Sequence, residues 1–179
     1  SEGLFDLSKK LSLPDSPSHI GVITSPSTAA FQDILSTIKR RAPSSQISLS
    51  SAIVQGDTAA SSLIKALDRI IRFNDNNPDN SIDVVVISRG GGSMEDLWCF
   101  NNEDLARQIA AFPIPTISGV GHEIDFTICD FVSDMRAPNP TASAEIVTEF
   151  NYQVYDKLIE IQNDLKRSIR ISLKDKLQK

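Results

Sequence analysis

Asp83-Val84-Val85-Val86-Ile87-Ser88 runs directly into Arg89-Gly90-Gly91-Gly92-Ser93. Four consecutive branched aliphatics, apolar on both faces, predict a strand covered on both sides, as in a central parallel strand between two helical layers. The glycines end that strand. They suit a turn that needs positive φ or a close backbone approach. Working outward, the alternation of short apolar runs and amphipathic segments repeats. His19 to Thr24 is a strand, and Ser25-Pro26 opens a helix with proline in its first turn. That helix buries Ala30, Phe31, Ile34, Leu35 and Ile38 and stops before Pro43. A β-rich stretch covers about Gln46 to Val54 and is broken by Gly56. Asp57 or Thr58 then caps a helix with Leu63, Ile64, Leu67, Ile70 and Ile71 on one face.

Asn74 to Ser81 reads as a polar loop. Beyond the glycines, helical pattern covers about Glu95 to Ala111 with a break near Asn101. Ile114 to Val120 is a fourth strand, ending in Gly121-His122-Glu123; a helix follows over about Asp125 to Asp134, then a turn over residues 136–140. Four strands alternating with helices predict an α/β domain with an open, mostly parallel, Rossmann-like sheet of four or five strands. From Thr141 onward neither Pro nor Gly occurs, and Ile146, Phe150, Val154, Leu158, Ile161, Leu165, Ile169, Leu173 and Leu177 recur every three or four residues. This predicts one long helix of about 35 residues whose stripe needs a partner, a coiled-coil arm. The expected division is a linker over 1–18, the α/β domain over 19–142 and the arm over 143–179.

Composition limits the classes of function. The 179 residues are 40% hydrophobic and 23% charged, which is globular. No apolar run approaches the roughly 20 residues of a membrane span, and no signal-peptide pattern opens the chain. Cys99 and Cys129 are isolated, which argues against a disulfide framework or a zinc knuckle. A cytoplasmic protein without membrane contact is expected. Position 1 is Ser and the last helix runs uncapped to the end, so the chain reads as a segment of something longer. The net charge of −5 argues against a broad basic groove for nucleic acid. Residues 157–179 carry seven basic and three acidic side chains, +4, which leaves −9 for the remainder. Any polyanion site in the domain must be local.

Ligands of open α/β sheets sit beyond the carboxyl ends of the strands. Three polar clusters fall there: Thr24-Ser25 to Asp33, Ser88 to Ser93, and Gly121 to Asp125. In the second, the N–H groups of Gly90, Gly91 and Gly92 can form an anion nest, and Arg89 can clamp a phosphate. A tight turn beside a surface arginine is the other reading. The loop is no P-loop, and no GxGxxG follows the first strand. In the third, His122 at a strand end, with Glu123 and Asp125 beyond, can orient water, protonate a leaving oxygen or charge a phosphate site. His122 and Asp125, one helical turn apart, can face one pocket. A His/Asp metal site and a helix-start histidine remain open alternatives. Ser25 and Ser93 suit phosphate hydrogen bonding, since neither sits in a GxSxG elbow. Asp33, two turns into the first helix, is either a solvated carboxylate or part of the same edge. Trp98 is expected to anchor the glycine loop against the sheet, with base stacking as its other role. His19 and Arg40-Arg41 read as structural.

These residues resemble the large subunit of bacterial exodeoxyribonuclease VII. The matching blocks are Ile20 to Pro26 with Asp33-Ile34-Leu35, Arg40 to Pro43, Val54-Gln55-Gly56, Arg89 to Trp98 and Phe100-Asn101. Ile114-Pro115, Gly121-His122-Glu123, Asp125, Thr127, Asp130 and Arg136-Ala137-Pro138 complete them in the family's order. Thr28, Ser88 and Asn139 depart from the family's pattern. The resemblance implies cleavage of single-stranded DNA from both ends to oligonucleotides, in concert with a small helical subunit carried on the arm. It also implies self-association of the large subunit and an OB-fold DNA-binding domain outside this chain. By position it carries the catalytic set onto Asp33, Arg89, His122 and Asp125. It implies no cofactor and no required divalent metal, with magnesium the possible exception. A nucleotide- or phosphate-binding domain and an assembly scaffold are the competing classes of function.

Overall fold

The valine-rich stretch forms strand β3 (Val84–Ser88), buried along its whole length. In the computed structural model, which describes residues 3–90, 94–121 and 124–177, β3 pairs on one side with β1 (His19–Thr24) and on the other with β4 (Thr116–Gly119). β2 (Gln46–Ser51) flanks β1, and β5 (Met135–Arg136) flanks β4. All pairings are parallel, giving the order β2-β1-β3-β4-β5.

The connections are α1 (Ala29–Arg41), α2 (Ala59–Asn76), α3 (Glu103–Ala110) and α4 (Ile128–Val132), followed by α5 (Pro140–Val147) and α6 (Glu149–Leu177). Strand alternation divides the core in two. Ile20, Val22, Val84, Val86 and Ile117 pack under α1 and α5. Ile23, Val85 and Ile87 pack on the other face with Leu63 and Leu67 of α2, Leu105 of α3 and Cys129 of α4. The expected α/β sheet is therefore present, covered on both faces. After β2 the chain crosses back over β1 to β3. This reversal of strand order opens a crevice beyond the carboxyl ends of β1 and β3, where such sheets bind ligands.

Several boundaries differ from the sequence reading. Helix α1 starts at Ala29, not at Ser25-Pro26, because Thr28 is extended and both its N–H and its hydroxyl donate to the Ser25 carbonyl, forming a turn. Thr58 precedes α2 but makes no capping bond with its side chain. α2 continues to Asn76, and Pro78–Asn80 is a 3-10 turn within the expected loop. Met94–Asn101 is a 3-10 helix, and Asn102 caps α3 by accepting from the Leu105 N–H at 3.0 Å. β5, read as part of a helix and a turn, has only two residues; the Ala137 N–H donating to the Ser118 carbonyl at 2.7 Å extends its pairing with β4.

The single long helix is in fact two. Thr148 lies between α5 and α6 with φ −110° and ψ 8°. Its buried hydroxyl donates to the Ala144 carbonyl at 2.6 Å and accepts from Arg41 Nε at 3.0 Å. A threonine hydroxyl competing for the backbone of the preceding turn is a known cause of helix bending. Arg41 also pairs with Glu149 and lies 4.2 Å from the Tyr152 ring centroid. The arm's root is thereby fixed to the end of α1. Among the described residues no helix is long and apolar enough to cross a membrane.

Candidate active site

The loops after β1, β3 and β4 line the carboxyl edge of the sheet. The first is the turn Ser25 to Thr28, where the Ser25 and Ser27 hydroxyls lie 3.3 Å apart. It borders a cleft of about 560 Å³ completed by Ser51, Gln55 and Ser62 beyond the end of β2. Pro26, Ala52, Ile53 and Val54 also line it, so the cleft presents hydroxyls and an amide among apolar side chains. A second cleft, about 300 Å³, lies at the opposite edge between the N-terminal segment and α3 and is remote from these loops.

The loop after β3 begins with Arg89 and Gly90. A Cβ on Gly90 would lie 3.4 Å from Thr28 Cβ, so the first two loops touch. The expected positive φ is absent at Gly90. Gly91 and Gly92, the other members of the expected anion nest, and Ser93, expected to hydrogen-bond phosphate, lie outside the described residues. Arg89 is not the surface arginine of the alternative reading: only 3% exposed, it pairs through Nη2 with Asp96 at 3.2 Å. Asp33 is exposed on α1, and its carboxylate makes no hydrogen bond or ion pair among the described residues. A buried guanidinium fixed by a carboxylate is a charge of defined position at the carboxyl end of β3. Cys99 lies close enough for Arg89 to favour its thiolate, but burial dominates and pushes the thiol up.

Asp96 was not singled out by the sequence. It reaches Arg89 because the 3-10 helix turns the chain back over the sheet. With three residues per turn, that helix puts Leu97 and Phe100 on one side, both buried, and Trp98 on another, 76% exposed. Leu97 and Phe100 therefore anchor the 3-10 helix, and Trp98 does not take the anchoring place expected of it. His19 is structural: buried, with Nδ1 3.0 Å from the Asn80 carbonyl and Nε2 2.8 Å from Ser48 Oγ.

The third loop follows β4. His122 and Glu123 lie outside the described residues. Asp125 is half-buried in a loop, since α4 begins at Ile128 and not at Asp125. The one-helical-turn argument for His122 and Asp125 therefore has no helix beneath it. What shapes the loop is Asp130. Its buried carboxylate accepts from Ser118 Oγ at 2.6 Å, Thr127 N–H at 2.8 Å and Thr127 Oγ1 at 2.9 Å. Thr127 Oγ1 in turn accepts from the Asp130 N–H at 3.3 Å, completing a capping box. Gly121 is the glycine this site requires, because a Cβ there would fall 2.2 Å from the Asp125 carbonyl oxygen. Asp134, at the far end of α4, accepts from Thr116 N–H and Oγ1 at 2.7 and 2.9 Å and serves the fold. Among the described residues no three His, Cys, Asp or Glu side chains gather as a metal cage.

A crevice at the switch point, with hydroxyls on one side, a fixed buried cation at the end of β3 and a loop braced by Asp130 on the other, has the chemistry to hold a phosphate group. Comparison with known proteins gives the family. The family model "Exonuclease VII, large subunit" matches residues 4–179. The "Exodeoxyribonuclease 7 large subunit" of Vibrio parahaemolyticus is 48% identical over 178 residues, covering 99% of this chain and 39% of that protein. The protein of the same name from Geobacillus kaustophilus is 47% identical over 173 residues, 97% of this chain and 37% of its own length. That of Clostridioides difficile is 48% identical over 168 residues, 94% and 40% respectively. The chain thus spans about two fifths of the length of these curated relatives. With a match across nearly its whole length and close to half its residues shared, the chain belongs to the exonuclease VII large-subunit family.

Proposed function

We propose that this domain hydrolyses phosphodiester bonds of single-stranded DNA, working from both ends to release oligonucleotides, within a complex that includes a small helical subunit. The observation that carries the reading is the buried Arg89–Asp96 pair set between the hydroxyl-rich turn after β1 and the braced loop after β4. The name of the relatives, exodeoxyribonuclease, supports it.

In the proposed reaction, water attacks phosphorus, the bond to the leaving sugar oxygen breaks, and that oxygen gains a proton. Arg89 and the amides of Gly90, Gly91 and Gly92 stabilise the charge that grows on the non-bridging oxygens. Ser25 and Ser93 hydrogen-bond the phosphate. His122 takes the proton from water or gives one to the leaving oxygen, with Asp125 fixing its tautomer. Asp33, exposed on the second turn of α1, orients the water. Arg89 and His122 supply positive charge where other nucleases use a metal, so no divalent cation is required. The exposed stripe of α6 carries the small subunit and self-association of the large subunit, and the assembly works in the cytoplasm.

The test is a full-length large subunit assembled with its small partner, wild type beside His122→Ala. End-labelled single-stranded and duplex DNA are incubated in EDTA and then in magnesium. The expected result is single-strand cleavage by wild type in EDTA, lost in the variant. Cleavage only with magnesium would recast His122 and Asp125 as metal ligands. Equal cleavage by the variant would remove His122 from the mechanism.

A further inference from the structure

A row of aromatic rings crosses the surface at the β4–β5 end of the site. Phe126 and Phe131 are stacked, with centroids 5.7 Å apart and planes inclined by 21°. Phe5 extends the row at 5.8 Å from Phe131, tilted by 58°. At the other end the Arg136 guanidinium lies 4.0 Å from the Phe126 centroid. The three rings are 53, 48 and 55% exposed for Phe126, Phe131 and Phe5. Single exposed apolar side chains are ordinary. Three rings in a continuous series of contacts, each about half in water, mark a surface that meets something else.

Position and chemistry select the occupant. Phe126 directly follows Asp125, and Arg136 stands opposite Ser118 near the carboxyl end of β4, so the row begins at the edge proposed to hold phosphate. Its members are flat groups, two of them nearly parallel, ended by a planar cation. Such a set matches the face of an unstacked nucleobase, to which rings contribute stacking and arginine adds cation–π attraction. Every base has such a face, so the contact is indifferent to sequence.

We propose that Phe126 and Phe131, with Arg136 behind them, form the platform on which bases of a single strand stack while its phosphates enter the Arg89 edge. The identity of the strand rests on the nuclease reading above. Phe5 lengthens the platform away from the site. The arrangement brings Phe5, remote in the chain, up to Phe126, Phe131 and Arg136, which follow one another through α4 into β5.

The experiment uses the full-length large subunit assembled with its small subunit, and dye-labelled single-stranded DNA with one abasic residue placed at each position in turn. Binding is read by anisotropy and cleavage on a gel from the same samples. For wild type, an abasic residue at one or two positions near the strand end should weaken binding about tenfold. Phe126→Leu should weaken binding of the intact strand by a similar factor and erase that positional dependence. Phe131→Leu should do the same to a smaller degree, and thermal unfolding of each variant should match wild type. Variants that keep the wild-type abasic profile would overturn the platform. So would variants that bind DNA normally but fall out of the complex, which would make the row a protein interface. Base-dependent binding without cleavage would sink the nuclease reading and leave the platform standing. Cleavage with binding indifferent to bases would do the reverse.

Discussion

Helices α2 and α6 carry the same kind of apolar stripe and meet opposite fates. In α2, Leu63, Leu67 and Ile70 are buried against β1 and β3. In α6, Leu158, Ile161, Leu165, Ile169 and Leu173 recur at similar spacing, and each is at least half exposed. Periodicity states that a helix has a face to be covered. It does not state whether the cover comes from the same chain. Length separates the two cases, because 18 residues can lie along one sheet whereas 29 run past it.

The largest expected effect breaks the comparison directly. Leu67→Ala should destabilise the domain by about 2–5 kcal/mol, since it empties a packed core. Leu165→Ala should change its stability by no more than about 0.5 kcal/mol. Urea unfolding of both variants measures this; equal losses would mean that α6 is covered by its own domain. Sedimentation should show the reverse ranking for assembly.

The same contrast applies to charge at the sheet edge. Arg89→Lys keeps a buried cation but loses the planar guanidinium, and should lower DNA cleavage by the assembled enzyme about 100-fold. Asp33→Asn, at an exposed position, should leave unfolding unchanged while slowing cleavage less. Near-full activity of the lysine variant would remove Arg89 from the mechanism. Asp130→Ala should cost about 1–3 kcal/mol, because the Thr127 N–H and the Ser118 hydroxyl lose their shared acceptor. It should also slow cleavage through the loop that holds Asp125. A variant that unfolds earlier yet cleaves normally would show that the brace serves the fold alone.

The smallest effect concerns the cysteines. Burial pushes the Cys129 thiol well above the ordinary value of 9.0. The folded state therefore holds that proton more tightly than the unfolded one. Its contribution is complete below the ordinary thiol value and is lost as pH rises beyond it. A thiol reagent at pH 8 should leave Cys129 unmodified in the folded protein, and stability should decline above about pH 9 in wild type more than in Cys129→Ala. Rapid labelling at pH 8 would contradict the enclosure of α4.

How much of this was legible beforehand follows from the range of each interaction. β1 and β3 announced themselves because strands buried on both faces must be apolar throughout. β5 did not, because two residues carry no period; its place is set by β4. The break at Thr148 was invisible because a threonine within a helical pattern bends it only in a particular setting, here one that includes Arg41. Arg89 was legible as a candidate site residue from its glycine neighbours. Its partner Asp96 was not, because a 3-10 turn, and not an α-helical one, brings the carboxylate back. Trp98 was misjudged for the same reason: the period of three, not 3.6, decides which side chain faces inward.

The root of the arm has a mechanical consequence. Arg41, the last residue of α1, grips Thr148, Glu149 and Tyr152, while the first turn of the same helix abuts Thr28 and Gly90 at the crevice. α1 is thus a rod about 20 Å long with the arm clamped to one end and the crevice resting on the other. The arm is a lever about twice that length. It cannot swing about Thr148 without either dragging the rod or breaking the clamp. A load applied far along the arm would therefore be delivered, through a single helix, to the doorway of the crevice.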